Sequence, residues 1–229
     1  MAVRRLLPNS TVANYTTLVT ASINSEGLVN GVWVSCVSFT AYSISLKLTV
    51  GLCLMPRILN QRFPTDAVAW SISPEVRTRS GDYMDLFITR NTYNPFVAHP
   101  TVIYEGKARG GGTWDGILTQ LLRYAQTFVI RNGQFIYMVG AMGSGSRFFR
   151  YKRGDAIPTT CMFFDPRTRR VSYLDSGRAT TYDILTDAGQ TAISYFIDEI
   201  IANPTPLLHN AVEFDTENSD VQADVEVGK

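Results

Sequence analysis

Thr101-Val102-Ile103-Tyr104-Glu105-Gly106-Lys107 is the stretch on which the reading of this chain turns. The apolar run Val102, Ile103 and Tyr104 predicts a short strand buried on both faces. Side chains alternate along a strand, so Glu105 and Lys107, two residues apart, leave it on one side and present a carboxylate next to an ammonium. Upstream, Asp82-Tyr-Met-Asp85-Leu-Phe-Ile-Thr predicts a second strand, and Asn91-Thr-Tyr-Asn94-Pro95 supplies turn residues between the two. An antiparallel pairing of these strands brings Asp85 near Glu105.

Downstream, Gly110-Gly-Gly-Thr-Trp114-Asp reads as a loop leading into an amphipathic helix, in which Ile117, Leu118, Leu121, Leu122, Ala125 and Phe128 form one apolar stripe. Gln120 and Tyr124 are four residues apart and share a face of that helix. Two carboxylates with no histidine or cysteine nearby favour a hard cation held by oxygen, Mg²⁺ or Mn²⁺ rather than zinc. Such an ion activates water and clamps phosphate oxygens. The neighbouring lysine suits orienting or deprotonating that water, or neutralising charge on phosphorus in the transition state. The chemistry this suggests is phosphodiester hydrolysis.

The ordered set resembles the PD-(D/E)XK nuclease superfamily over residues 65 to 140, and Gln120-Leu-Leu-Arg-Tyr124 resembles the QxxxY helix motif of its RecB-like branch. The likeness is to fungal-type members rather than to restriction enzymes. It implies an α/β fold: a mixed central β-sheet flanked by helices, with a restriction-endonuclease-like core. It also implies a Mg²⁺-dependent (or Mn²⁺-dependent) nuclease acting on DNA. Carried over residue by residue, Asp85 matches the family aspartate, Glu105 and Lys107 the acid and lysine, and Gln120 and Tyr124 the helix motif. Asp85, Glu105 and the Gly106 carbonyl would be the metal ligands. The family glutamine positions the acid-bearing strand or the substrate phosphate. Asp82 competes for the aspartate position; Asp85 is preferred because Leu86-Phe-Ile follows it directly. The chain departs from the pattern in three places. The interval from Asp85 to Glu105 is long and implies an extended hairpin or small insertion, glycine at 106 replaces a more usual apolar residue, and no early helix carries the additional glutamate of many members.

Taken singly, these residues also have plainer readings. Asp82 and Asp85 fit a strand start facing water, Glu105 and Lys107 an exposed ion pair worth little in stability, and Gln120 and Tyr124 the rim of a packed helix.

The remaining composition sets outer limits. A chain of 229 residues can bury a full core as one domain with extensions. The boundaries read as an extension over 1–60, a domain over 61–208 and an acidic tail over 209–229. From Glu213 onward there are six acids and one lysine, leaving 20 basic and 14 acidic residues upstream, so the near-neutral whole masks a basic body. Within that body Arg147, Arg150, Lys152, Arg153, Arg167, Arg169 and Arg170 cluster around Phe148, Phe149 and Tyr151, a composition suited to phosphate contact and base stacking. These residues support a second class of function, a catalytically inactive nuclease-fold module that binds nucleic acid or protein through 147–170.

Phe135-Ile-Tyr-Met-Val-Gly, Arg147-Phe-Phe-Arg-Tyr, Thr160-Cys-Met-Phe-Phe and Arg170-Val-Ser-Tyr-Leu predict four further strands, and Gln190 to Asn203 a helix ended by Pro204 and Pro206. Gly140-Ala-Met-Gly-Ser-Gly lacks the Gly-Lys-Ser/Thr of a phosphate loop and reads as a flexible hairpin loop. The almost uncharged Leu28 to Met55 fits a weak membrane-helix candidate, a hairpin, or a stretch foreign to the domain. Three scattered cysteines, Cys36, Cys53 and Cys161, argue against a disulfide framework. With no secretory pattern at the start, the expected location is intracellular, nuclear or cytoplasmic, with no membrane partner. His99 and His209, the two histidines, read as loop residues, which disfavours a histidine triad or zinc hydrolase.

Overall fold

The computed structural model describes Phe63 and residues 70–77, 83–92, 97–129 and 131–204. The expectations for Leu28 to Met55, Asp82, Cys36, Cys53, His209 and the acidic tail lie outside the described residues.

Among the described residues eight strands and two α-helices follow one another as β1 (Trp70–Arg77), β2 (Tyr83–Thr92), β3 (Val97–Lys107), α1 (Trp114–Phe128), β4 (Phe135–Met142), β5 (Gly145–Lys152), β6 (Thr159–Asp165), β7 (Arg170–Asp175), β8 (Tyr182–Asp183) and α2 (Asp187–Ala202). The strands form a single open sheet in the order β1-β2-β3-β4-β5-β6-β7, with β8 added to β5 beside β6. Every pairing is antiparallel except that of β3 with β4. A parallel neighbour cannot be reached by a tight hairpin, and α1 provides the crossover between these two strands. The described residues are thus mixed α/β, a mostly antiparallel sheet flanked by two helices.

The period of two along each strand sorts the apolar residues into two layers. Leu86, Ile88, Val102, Tyr104, Tyr137, Val139 and Phe148 face α2, whose Ile193, Phe196, Ile197 and Ile200 cover them. Phe87, Ile103, Ile136, Met138, Phe149 and Tyr151 face α1, meeting Ile117, Leu121, Tyr124 and Ala125. The apolar stripe expected in α1 is therefore its buried face. Its start is set by Thr113, whose hydroxyl accepts a hydrogen bond from the Gly116 N–H at 3.1 Å.

Several expectations are corrected. Strand β3 begins at Val97, well before the apolar run, and His99 lies buried within it, its Nε2 3.1 Å from Thr92 Oγ1, rather than in a loop. The strand tolerates Pro100 because the register with β2 shifts there: Ile88 pairs with Val102, but Thr89 pairs with Pro100. Such a bulge is a place where a missing backbone N–H is accepted. The long interval from Asp85 to Glu105 is occupied by this extended pair of strands. Gly140 to Met142 belong to β4 and Gly145 opens β5, so the supposed flexible loop shrinks to a turn at Gly143 and Ser144. Helix α2 begins a turn earlier than expected, at Asp187, capped by Thr186. Strands β1 and β8 were not anticipated.

Gly140 fixes how closely α1 approaches the sheet. A Cβ there would stand 2.7 Å from Ile117 Cγ2 and 3.5 Å from Leu121 Cδ1, a spacing that only a hydrogen permits. Gly140→Ala must push α1 outward and is expected to cost about 1–3 kcal/mol. Gly112→Ala, whose Cβ would be 3.9 Å from Lys107 Cγ, is expected to change stability by less than about 0.5 kcal/mol. Denaturant melts of both variants check this, and equal stability of the two would contradict it.

Candidate functional site

The register continues from Leu86 opposite Tyr104 to place Asp85 across from Glu105 at the end of the β2–β3 pair. Asp85 Oδ2 accepts a hydrogen bond from the Gly106 N–H at 2.7 Å, so the aspartate is fixed to the strand that carries the glutamate. Glu105 follows Ile103 on the face of β3 turned to α1 and is only 1 % exposed. Lys107 Nζ lies 2.8 Å from Glu105 Oε1, and the lysine side chain is 22 % exposed. The reading of these two residues as an exposed pair is therefore corrected: the carboxylate is inside and the ammonium is at the boundary. Removing a carboxylate from water costs several kcal/mol, which the Lys107 ammonium offsets in part from the solvent boundary.

Helix α1 closes this face. Gln120 Nε2 donates to the Tyr124 hydroxyl at 2.6 Å, and that hydroxyl donates to the Tyr83 carbonyl at 2.8 Å. The two residues of the helix motif thus form one relay that ends on β2, two residues before Asp85. In this structure the relay holds the aspartate-bearing strand to the helix. Burial raises the Tyr124 hydroxyl above its ordinary value, the Gln120 hydrogen bond opposes this, and the Glu105 charge adds to the rise. Tyr104, on the opposite face, is raised well above its ordinary value by burial, with smaller contributions from Asp85 and Glu105.

The donors at Asp85 and Glu105 are all oxygen. Among the described residues the softer ligands lie elsewhere: His99 is about 20 Å away along β3, and Cys161 is a free thiol buried in the layer under α1. Among the described residues no group of three or more His, Cys, Asp and Glu side chains gathers around one point. Two carboxylates, with the Gly106 carbonyl as the further backbone donor expected from the sequence, make a donor set whose chemistry fits one hard divalent cation completed by water or phosphate.

The basic residues expected to contact nucleic acid do not form one surface. Arg147 alternates with Phe149 on the α1 face and lies 4.3 Å over the Trp114 ring. Arg150 shares the α2 face with Phe148, 3.9 Å over the Tyr173 ring and 5.4 Å over that of Phe135. Lys152 pairs with Asp155 at 3.0 Å, and Arg153 Nη1 donates to the Val129 carbonyl at 3.3 Å. Arg167, Arg169 and Arg170 are exposed at the β6–β7 turn, where Arg169 adopts a positive φ of 55°. Trp114 and Gly140 are the contributors that the sequence reading passed over. A glycine inside an apolar strand marks close backbone or helix approach, and that was the available signal for Gly140.

Comparison with protein-family models, with characterised proteins and with solved structures returns no match. Among the described residues no helix is long and apolar enough to cross a membrane.

The raised Tyr104 and Tyr124 hydroxyls carry a pH consequence. The folded chain binds their protons more tightly than the unfolded chain, so their contribution is fully present below the ordinary tyrosine value of 10.0 and falls as pH rises past it. Alkaline titration followed by phenolate absorbance and circular dichroism is expected to show some tyrosines ionising only as the fold is lost. Complete phenolate formation with unchanged circular dichroism would contradict this.

Proposed function

We propose that this protein is a metal-dependent nuclease hydrolysing DNA phosphodiester bonds at the end of β3. The observation carrying the reading is the convergence of Asp85, Glu105 and Lys107 on one sheet face, with Gln120 and Tyr124 on the helix that closes it. This is the grouping that the resemblance to the PD-(D/E)XK superfamily requires. Asp85 and Glu105, with the Gly106 carbonyl, would hold Mg²⁺ or Mn²⁺, which when bound supplies charge neutralisation at phosphate and acidifies water.

The chain's own groups divide the remaining work. Lys107 Nζ, anchored on Glu105 Oε1 at the solvent boundary, would orient the attacking water or take up charge on a non-bridging phosphate oxygen. The Gly106 N–H fixes Asp85 Oδ2 and so orients that carboxylate beside Glu105. Gln120 and Tyr124 hold β2 against α1 and so maintain the spacing of the two carboxylates. Burial of Glu105 keeps water from competing for it, which strengthens its electrostatic effect.

The alternative is a catalytically inactive module binding nucleic acid or protein through residues 147–170. Separation of Arg147 and Arg150 onto opposite faces leaves that reading without a continuous basic surface between them. The carboxylate site is the stronger basis for function.

Titration calorimetry with Mg²⁺ and Mn²⁺, beside cleavage assays on single- and double-stranded DNA, tests the proposal. Glu105→Ala is expected to abolish metal binding, and Glu105→Ala and Lys107→Ala each to slow cleavage by at least about a hundredfold. Both variants are expected to keep the parent circular dichroism. Parent-like cleavage in either variant would sink the nuclease assignment.

A further inference from the structure

Arg147 belongs to the same lateral row as Glu105. Glu105 in β3 pairs with Gly140 in β4, and Gly140 pairs with Arg147 in β5. All three positions are on the α1 face, where Gly140 carries no side chain and Ile117 and Trp114 fill the space above it. Two strand spacings place the Cα atoms of Glu105 and Arg147 about 10 Å apart.

The guanidinium is held in place from two sides. It lies over Trp114 at 4.3 Å, and its Nε donates to Thr181 Oγ1 at 2.9 Å. Trp114 is itself seated on the sheet, with Cζ3 3.7 Å from a Cβ built on Gly140 and Cζ2 3.7 Å from one built on Gly145. The stacked plane and the engaged Nε fix the direction of the fork while leaving its Nη donors uncommitted among the described residues. Asp115, exposed in the first turn of α1, acts on Arg147 through space without forming an ion pair. The other basic residues of this stretch are committed elsewhere, Lys152 to Asp155, Arg153 to the Val129 carbonyl and Arg150 to the rings of the opposite face.

A planar fork held rigidly, half-buried and without a carboxylate partner is matched to a phosphate. We propose that Arg147 binds a backbone phosphate of the nucleic-acid strand, next along from the scissile phosphate at the cation site of Asp85 and Glu105, and sets the strand's position across the site. This rests on the nuclease reading for the occupant of the carboxylate site. Arg147 is accordingly a substrate-positioning residue, and Trp114 and Thr181 are the supports that aim it. Arg150, three residues further on, has no part in the contact because it is on the other side of the sheet.

Fluorescence anisotropy with a fluorescein-labelled single-stranded oligodeoxynucleotide and its duplex, in Ca²⁺ to hold back cleavage, tests this. Arg147→Gln is expected to weaken binding roughly tenfold, the loss of one charge-assisted phosphate contact. The slope of log affinity against log salt should fall in magnitude by about one. Arg147→Lys, which keeps the charge but not the fork, is expected to restore most of the slope and only part of the affinity. It carries the test if the glutamine variant fails to fold. Unchanged affinity and slope in the glutamine variant, or no oligonucleotide binding by the parent, overturns the proposal. Cleavage by the parent with binding indifferent to Arg147 leaves the nuclease reading standing and removes this inference. Binding that depends on Arg147 without any cleavage removes the nuclease reading and keeps Arg147 as a phosphate contact, without its placement beside a scissile phosphate.

Discussion

Parallel pairing of β3 with β4 is the constraint from which the rest of the candidate site follows. All other neighbours in the sheet are antiparallel, but this pair needs a crossover, and α1 is that crossover. The helix therefore covers the end of β3 from which Glu105 and Lys107 project. Gly140 allows it to lie close, and the relay from Gln120 through Tyr124 to the Tyr83 carbonyl ties it to β2. Had β4 followed β3 through a hairpin, the same Glu-Gly-Lys sequence would form a surface ion pair at a turn.

Covering Glu105 has an energetic cost that informs its role. A carboxylate at 1 % exposure is stable only if charge and hydrogen bonding replace the water it has lost. Lys107 supplies part of that from the solvent boundary, and a second carboxylate, Asp85, stands on the adjacent strand and raises the local negative charge. A core selected for stability alone would place an apolar residue at 105, because buried ion pairs rarely exceed well-packed hydrophobic substitutes. Buried charge of this kind clusters at sites that bind or transform ligands.

The acid-x-lysine strand end, the antiparallel partner bearing Asp85 and the helix bearing Gln120 and Tyr124 were legible because each shows in local periodicity. So were the cores of β4 to β7. The start of β3 was not, since Pro100 ordinarily ends a strand and only the register shift opposite Thr89 accommodates it. Pro74 similarly obscured β1, which pairs only with β2 among the described strands and so tolerates a proline. At the front of α2, Asp187-Ala-Gly189 resembles a turn. Yet Gly189 is required there because any Cβ would collide with the Asp183 backbone, a close approach of β8 to the helix start that periodicity does not encode. The basic run at 147–153 was legible as composition but misjudged as a surface. Positions 147 and 150 differ by an odd number, and a strand sends such residues to opposite faces.

Along the main path of the sheet, strand order equals sequence order. Successive hairpins close short loops and form quickly, whereas the step from Lys107 to Phe135 spans a whole helix before its pairing is rewarded. The longest excursion on that path is thus the one that assembles the carboxylate site. Without the joining of β3 to β4 the chain has two strand meanders and lacks the crossover that seats α1 on both. Nascent or partly unfolded forms are consequently without the assembled site, which comes into being only as the two halves of the sheet unite.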